Sequence, residues 1–243
     1  MLDNSHESFS PPKDNCAIWR YTDFTKLLSL LESKQIYFPR ADQFSDPYEG
    51  VFSKPSAIAT ETQLRSSIGE SAKDVLKCMV DFGRTHTYIS CWYVGEHESA
   101  AMWKLYLQSP EGIAIRSDHD SLCAALAKSR FTARTSLVRY VDYETTLMPP
   151  NNLFYPFVHK RLSFAHEQEL RAIIWSAEGA NQPFVLEDAL GILVDVEPEH
   201  LIKAVHVCPN APVWFGQLVQ QVVTRYGLAC PIVRSTMYER PTY

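Results

Sequence analysis

A chain of 243 residues with 46% hydrophobic and 21% charged content can bury a full core and has the make-up of a globular protein rather than a disordered one. Its net charge of −5 comes without any run of lysines or arginines, which disfavours sequence-independent nucleic-acid binding, although a local basic patch stays open. Only nine glycines are present, so glycine-rich phosphate loops are scarce, and no stretch approaches the ~18 apolar residues of a membrane span.

The six cysteines, at 16, 78, 91, 123, 208 and 230, include no Cys-x-x-Cys pair. They read as reduced thiols of a cytoplasmic protein, not as a zinc site. Residues 1–15 are polar, acidic and proline-bearing, unlike a signal peptide, and are expected to form a disordered tail. A single globular domain is expected over 16–243.

In chain order, a strand is predicted at 17–21. Thr22 and Asp23 then cap a helix whose apolar residues Phe24, Leu27, Leu28 and Leu31 fall at i, i+3, i+4 and i+7. Ile36, Tyr37 and Phe38 form a second strand ended by Pro39, and 40–50 is a loop whose Asp46-Pro47-Tyr48-Glu49-Gly50 is turn chemistry with acids added. Residues 60–83 read as one or two helices. A β-prone run at 87–93 precedes a helix at 98–107, a strand at 112–115, a helix at 118–127 and a strand at 137–141.

After the Pro149-Pro150 loop, a helix is expected from 155 to 166. An extended segment at 167–175, strands at 192–196 and 205–208, a helix at 213–226 and a short strand near 232 complete the chain. Strands and helices mix without a βαβ repeat, so the expected class is α+β, a mixed or antiparallel sheet with flanking helices.

The segment from Lys160 to Arg171 is the densest in chemistry. It holds Lys160, Arg161, His166, Glu167, Glu169 and Arg171, then runs into Ala172-Ile173-Ile174-Trp175. If 167–175 is extended, alternation puts Glu167, Glu169 and Arg171 on one face. Two carboxylates on one strand face repel unless a cation sits between or opposite them. An ion-pair network and a functional site are both open. His166-Glu167-x-Glu169 lacks the second histidine of a zinc-protease helix. Magnesium needs only one or two carboxylates, so a metal-dependent phosphodiesterase or nuclease using Asp46, Glu49, Glu167 and Glu169 is one alternative. A non-catalytic interaction module, in which Arg20, Glu167 and Glu169 pair with one another around no cavity, is another.

Three further groups stand out. Arg20 lies between Trp19 and Tyr21; it either packs its stem and pairs with an acid or offers its fork to phosphate. Ser90 precedes Cys91-Trp92 without a Gly-x-Ser-x-Gly elbow, which argues against a serine hydrolase. Trp103 and Tyr106 share a helix face, for core packing or for a substrate. Arg40 and Glu49 in the loop are candidates as well.

In this order the elements resemble a bacterial family known as domain of unknown function 2971. The resemblance rests on Trp19-Arg20-Tyr21, Ile36-Tyr37-Phe38 with Phe44-x-Asp46-Pro47-x-Glu49-Gly50, Ser90-Cys91-Trp92, Glu98-Ser99-x-x-Met102-Trp103-x-x-Tyr106, and Lys160-Arg161-x-x-Phe164-x-x-Glu167-x-Glu169-x-Arg171. It spans roughly residues 17–235.

More distantly, Arg20 before a helix, Ser90 on a middle strand and Glu167-Gln168-Glu169 later resemble the Arg-Ser-Glu pattern of ADP-ribosyltransferases. Cys91-Trp92 stands where that family usually has a Ser-Thr-Ser type of run. This resemblance implies a split-sheet α+β fold of the ADP-ribosyltransferase kind and NAD as substrate, with no metal. It implies catalytic Glu169 and Glu167, and cofactor contacts from Arg20, Ser90, Tyr21, Trp92, Arg40 and Glu49. Substrate contacts would come from Trp103, Tyr106, Lys160 and Arg171. The acceptor would be a protein, a nucleic acid or water, and a toxin or defence role would follow. Oligomeric state is left open.

Overall fold

The computed structural model of the chain describes residues 2–3, 5–107, 109–150, 152–176 and 189–241. Strand β1 (Ala17–Asp23) is covered on both faces and buries Ile18, Trp19 and Tyr21. It ends where the Asp23 carboxylate accepts from the Lys26 N–H at 2.8 Å, capping helix α1 (Phe24–Ser33). This helix buries Leu27, Leu30 and Leu31, while Leu28, expected on the inner face, points outward. It stops at Lys34 in the left-handed region, and β2 (Gln35–Pro39) follows.

The next helices are α2 (Lys54–Ile68) and α3 (Ala72–His86). Then come β3 (Thr87–Val94), α4 (Ala100–Tyr106), β4 (Gly112–Asp118), α5 (His119–Ala127) and β5 (Ala133–Leu137). Short strands β6 (Arg139–Val141) and β7 (His159–Arg161) precede β8 (Glu169–Trp175) and β9 (Gly191–Asp195). The chain continues through α6 (Pro198–Leu201), β10 (Ala204–Val207), α7 (Val213–Arg225) and β11 (Ile232–Arg234).

Seven strands form one sheet in the order β11-β10-β4-β1-β3-β8-β5, antiparallel except for the β10–β11 pair. Strands β2 and β9 make a separate antiparallel ribbon, tied to β3 by an isolated bridge between Arg40 and Tyr88. The class is the expected α+β. The main core gathers Leu27, Phe38, Trp92, Leu122, Val194 and Phe215, and a smaller one gathers Ile89, Phe157, Ile173 and Trp175. Among the described residues no helix is long and apolar enough to cross a membrane.

One departure from regularity positions everything that follows. Strand β1 pairs with β4 along its full length but with β3 only at Ile18↔Val94 and Trp19↔Tyr93. From Arg20 onward no pair joins β1 and β3 among the described residues, so the sheet is split there.

Four expectations need correction. No α-helix spans 155–166: the chain makes a tight turn at Tyr155–Phe157, the strand β7, and a second tight turn at Leu162–Glu167. Strand β7 is held by parallel pairing with β6, which takes residues 159–161 out of any helix. The second turn ends at Gln168 with φ 38°, so Glu167 lies off the strand and only Glu169 and Arg171 share its face. The strand expected at 137–141 breaks at Val138, whose N–H turns to Glu169 O at 2.9 Å.

The first residues are not a free tail. Leu2 bridges Ala133, Asp3 pairs with Arg134 at 2.9 Å, Phe9 is buried, and Ser10 N–H donates to Ser136 Oγ.

Candidate functional site

Where β1 and β3 part, a cavity of about 370 Å³ opens, within the size range of small-ligand sites. Alternation and register assign its walls. Trp19, Tyr93 and Glu169 lie opposite one another across β1, β3 and β8, as Cys91 lies opposite Arg171, and these share one face. Arg20, Ser90 and Trp92 point to the other. The split lets residues from both faces line one cavity, including Arg20, Tyr93, Glu167 and Glu169.

Arg20 is a cation of this cavity, as is the exposed Lys26, which pairs with Asp23. The Arg20 guanidinium donates to Ser90 Oγ at 2.6 Å and to Tyr37 O at 3.1 Å, and lies 5.7 Å from the centre of the Trp92 ring. Trp92 Nε1–H donates to the same Ser90 oxygen at 3.1 Å. No carboxylate pairs with Arg20 among the described residues. Burial pulls its guanidinium down to about 10. A desolvated cation held only by neutral acceptors is set up to receive an anion.

The acidic end is built differently. Arg171, fully buried, donates to both oxygens of Glu49 at 2.5 and 2.8 Å, to Phe157 O at 2.8 Å, and through Nε to Glu169 at 2.9 Å. Lys160 donates to Glu167 and lies 3.4 Å from Glu169. Tyr140 Oη accepts from the Glu169 N–H at 2.9 Å. Burial opposes ionisation of Glu169, but Arg171 and Lys160 outweigh it and hold the carboxyl at about 2. Burial likewise opposes the charge on Lys160, and Glu169 with Glu167 more than restores it, raising its pKa. Three carboxylates face two cations here, and burial pushes the Glu49 carboxyl upward despite its pairing with Arg171, so Glu167 and Glu169 are the acids that the cluster presents to the cavity.

The structure sorts the other expected residues. Tyr21, Trp92 and Tyr106 line the cavity. The Tyr21 hydroxyl accepts from Ser99 N–H at 2.7 Å, and burial, then the Glu167 charge, pushes the Tyr106 phenol upward.

Ser90 is fully buried behind Arg20 and does not reach the wall. Trp103 sits in the core, edge-on to Tyr21 with its indole N–H on Glu98 at 2.8 Å, rather than on a substrate surface. Arg40 forks onto Asp42 at 2.8 and 3.0 Å, away from the cavity lining. Glu49, Lys160 and Arg171 stand behind the wall as its ionic support. Asp46 accepts from Arg161 at 2.8 Å and from the Tyr48 N–H at 3.0 Å.

With each of the four acids turned onto an arginine or lysine, the set does not fit a divalent cation. Among the described residues no group of three or more His, Cys, Asp or Glu side chains is arranged to hold a metal. Nor does Arg20 pair with Glu167 or Glu169, the arrangement an interaction module calls for.

Sequence reasoning passed over Tyr37, Leu193, Cys91 as a wall residue, and Tyr140. Tyr37 and Leu193 carried a detectable signal: both are large apolar residues on the outward phase of an alternating strand.

No family model matches the chain, so the resemblance to domain of unknown function 2971 gains no support, and no curated protein matches it. Among solved structures the chain is similar to Thermus sp. 2.9 DarT in complex with NAD+, at 8% sequence identity and a TM-score of 0.42, over 93% of this chain and 98% of that one.

Proposed function

We propose that this chain consumes NAD, breaking the bond between nicotinamide and ribose and passing ADP-ribose to a macromolecular acceptor or to water. The observation that carries the reading is Arg20, a partly buried cation with no acidic partner among the described residues, in a cavity whose other end is lined by Glu167 and Glu169. That polarity suits a ligand with an anionic middle and a reacting centre that becomes cationic.

Arg20 binds the pyrophosphate, its fork aimed by Ser90 and Tyr37 O. Cleavage leaves the C–N electron pair on nicotinamide, which departs neutral, and the ribose passes through an oxocarbenium-like state, as in glycoside cleavage. The Glu169 carboxylate, fixed in advance by Arg171 and Lys160, stabilises that cation. Glu167, at the end of a turn and held by Lys160, accepts the proton of the attacking hydroxyl or water. Tyr93, opposite Glu169, walls the nicotinamide end, and Trp92 backs Arg20.

The test is NAD turnover and binding by the purified protein, with and without a chelator. Wild type should consume NAD with or without chelator. Glu169→Gln should bind NAD with similar affinity but lose at least about a hundredfold in turnover. No binding and no turnover in the wild type would sink the proposal.

A further inference from the structure

The outer face of the β2–β9 ribbon has no role in the chemistry above, yet it forms one side of the same cavity. Register puts Gln35 opposite Asp195, Tyr37 opposite Leu193 and Pro39 opposite Gly191, so all six share that face. Of these, Gln35, Tyr37, Pro39 and Leu193 line the cavity. Tyr37 and Leu193 are each 46% exposed, while Ile36, Phe38, Ile192 and Val194 on the reverse face are buried. A large aromatic and a large aliphatic residue are thus paired across strands with one side uncovered.

Two details fix this surface. A Cβ at position 191 would run into the Tyr37 ring, so glycine lets the ring pack against the β9 backbone. The Tyr37 carbonyl is one of the two hydrogen-bond acceptors that hold Arg20. Tyr37 thus holds the anion-binding guanidinium with its carbonyl and presents its ring to the same cavity. Beyond the ring, the Gln35 amide donates to Asp195 at 2.8 Å, leaving polar groups at the platform's rim.

We infer that Tyr37 and Leu193 form a stacking platform for a heteroaromatic base attached to the phosphate that Arg20 binds: the adenine of the dinucleotide, not its nicotinamide. This rests on the NAD reading above and gives the ligand a direction. The acidic cluster takes the nicotinamide riboside end, Arg20 the phosphates, and the ribbon the purine. Stacking on one aromatic face is tolerant of base identity, while the Gln35–Asp195 rim supplies a donor and acceptors for the base edge.

Titration calorimetry of the full chain with AMP, ADP-ribose and nicotinamide mononucleotide separates the possibilities. Tyr37→Ala should weaken AMP and ADP-ribose by at least about tenfold, the size of one base-stacking contact, and change nicotinamide mononucleotide by less than about twofold. Tyr37→Trp should keep all three. Leu193→Asp, which charges the platform from the neighbouring strand without touching the carbonyl on Arg20, should reproduce the selective loss. Equal weakening of the mononucleotide by Tyr37→Ala would overturn the inference, because the effect would then run through Arg20. Wild type binding the mononucleotide but not AMP would overturn the platform alone. Wild type binding none of the three would overturn the NAD reading and the platform together.

Discussion

The guanidinium of Arg20 and the hydroxyl of Ser90 meet at 2.6 Å on one face of two strands that have stopped pairing. Ser90 accepts from Arg20 and from Trp92, so its oxygen is an anchor rather than a nucleophile, and it fixes the direction of the arginine fork. A cation placed for stability would have found a carboxylate. This one is held in wait, at the cost of desolvation.

That cost makes a prediction. Arg20→Met should leave the unliganded protein as stable as wild type or more so, because the change removes a partly buried charge that no acid among the described residues compensates. The same variant should bind NAD between about tenfold and a hundredfold more weakly, the loss of charged hydrogen bonds to phosphate. Thermal melts with and without NAD check both halves. A fall in the unliganded melting temperature beyond a few degrees would mark Arg20 as a structural residue. Ser90→Ala should give the affinity loss in milder form.

The carboxyl of Glu169 sits at about 2 in the fold against an ordinary value of 4.5. The folded state therefore binds that proton more weakly than the unfolded chain does. Its stabilising contribution is complete above pH 4.5 and disappears as the pH falls toward 2. The gap corresponds to about 3 kcal/mol. Urea midpoints at pH 6 and pH 3 should differ more in wild type than in Glu169→Gln. Equal differences would show that the carboxyl titrates normally. Turnover should show no acid limb from this group above about pH 4.

How much of this was legible beforehand follows from the range of each interaction. Asp23 capping α1 and the stretch leading to Trp175 are local, set by propensity and alternation within a few residues, and they came through. Arg20 and Glu169 were visible as charges out of place in β-prone runs. The helix expected over 155–166 failed because its fate is decided by β6, which pairs with β7, and by Glu167 and Glu169, which draw Lys160 inward. Ser90 read as a ligand contact, since nothing local says that an arginine from another strand will cover it. Tyr37 read as an ordinary strand residue. Its exposure depends on pairing with β9, far along the chain, and its seating depends on Gly191 there.

Lys160 is the counter-ion shared by the two carboxylates, with Arg171, Glu49, Tyr106, Tyr140 and the Cys91 thiol as the other ionisable groups around them. Lys160→Met should leave Glu167 and Glu169 facing each other with one cation fewer. Like-charge repulsion then raises the pKa of one of them by about 1 to 3. Lys160→Arg should restore wild-type behaviour. Carbon-13 carboxyl NMR of glutamate-labelled protein reads this without any substrate, with Glu167→Gln and Glu169→Gln assigning the signals. Unchanged titration in Lys160→Met would remove Lys160 from the electrostatics of the couple.

Two glycines at positive φ separate strain from packing. Gly50 has φ +70°, and a Cβ there would strike the ring of Phe157, whose carbonyl accepts from Arg171; Gly69 has φ +66° and open space around it. Alanine at 69, where ψ is −138°, should cost only the strain of a glycine-type backbone, about 1 to 3 kcal/mol. At position 50 alanine carries the penalty of its own positive φ and must also displace Phe157, adding a further ~1 to 3 kcal/mol for overpacking. Because Glu49 and the Phe157 carbonyl both hold Arg171, that displacement loosens Glu169 too. Gly50→Ala should therefore lose turnover, while Gly69→Ala should lose none. Urea unfolding of the two variants beside NAD turnover decides it: unchanged turnover in Gly50→Ala, or a fall in turnover in Gly69→Ala alone, would disconnect the 44–50 loop from the acidic cluster.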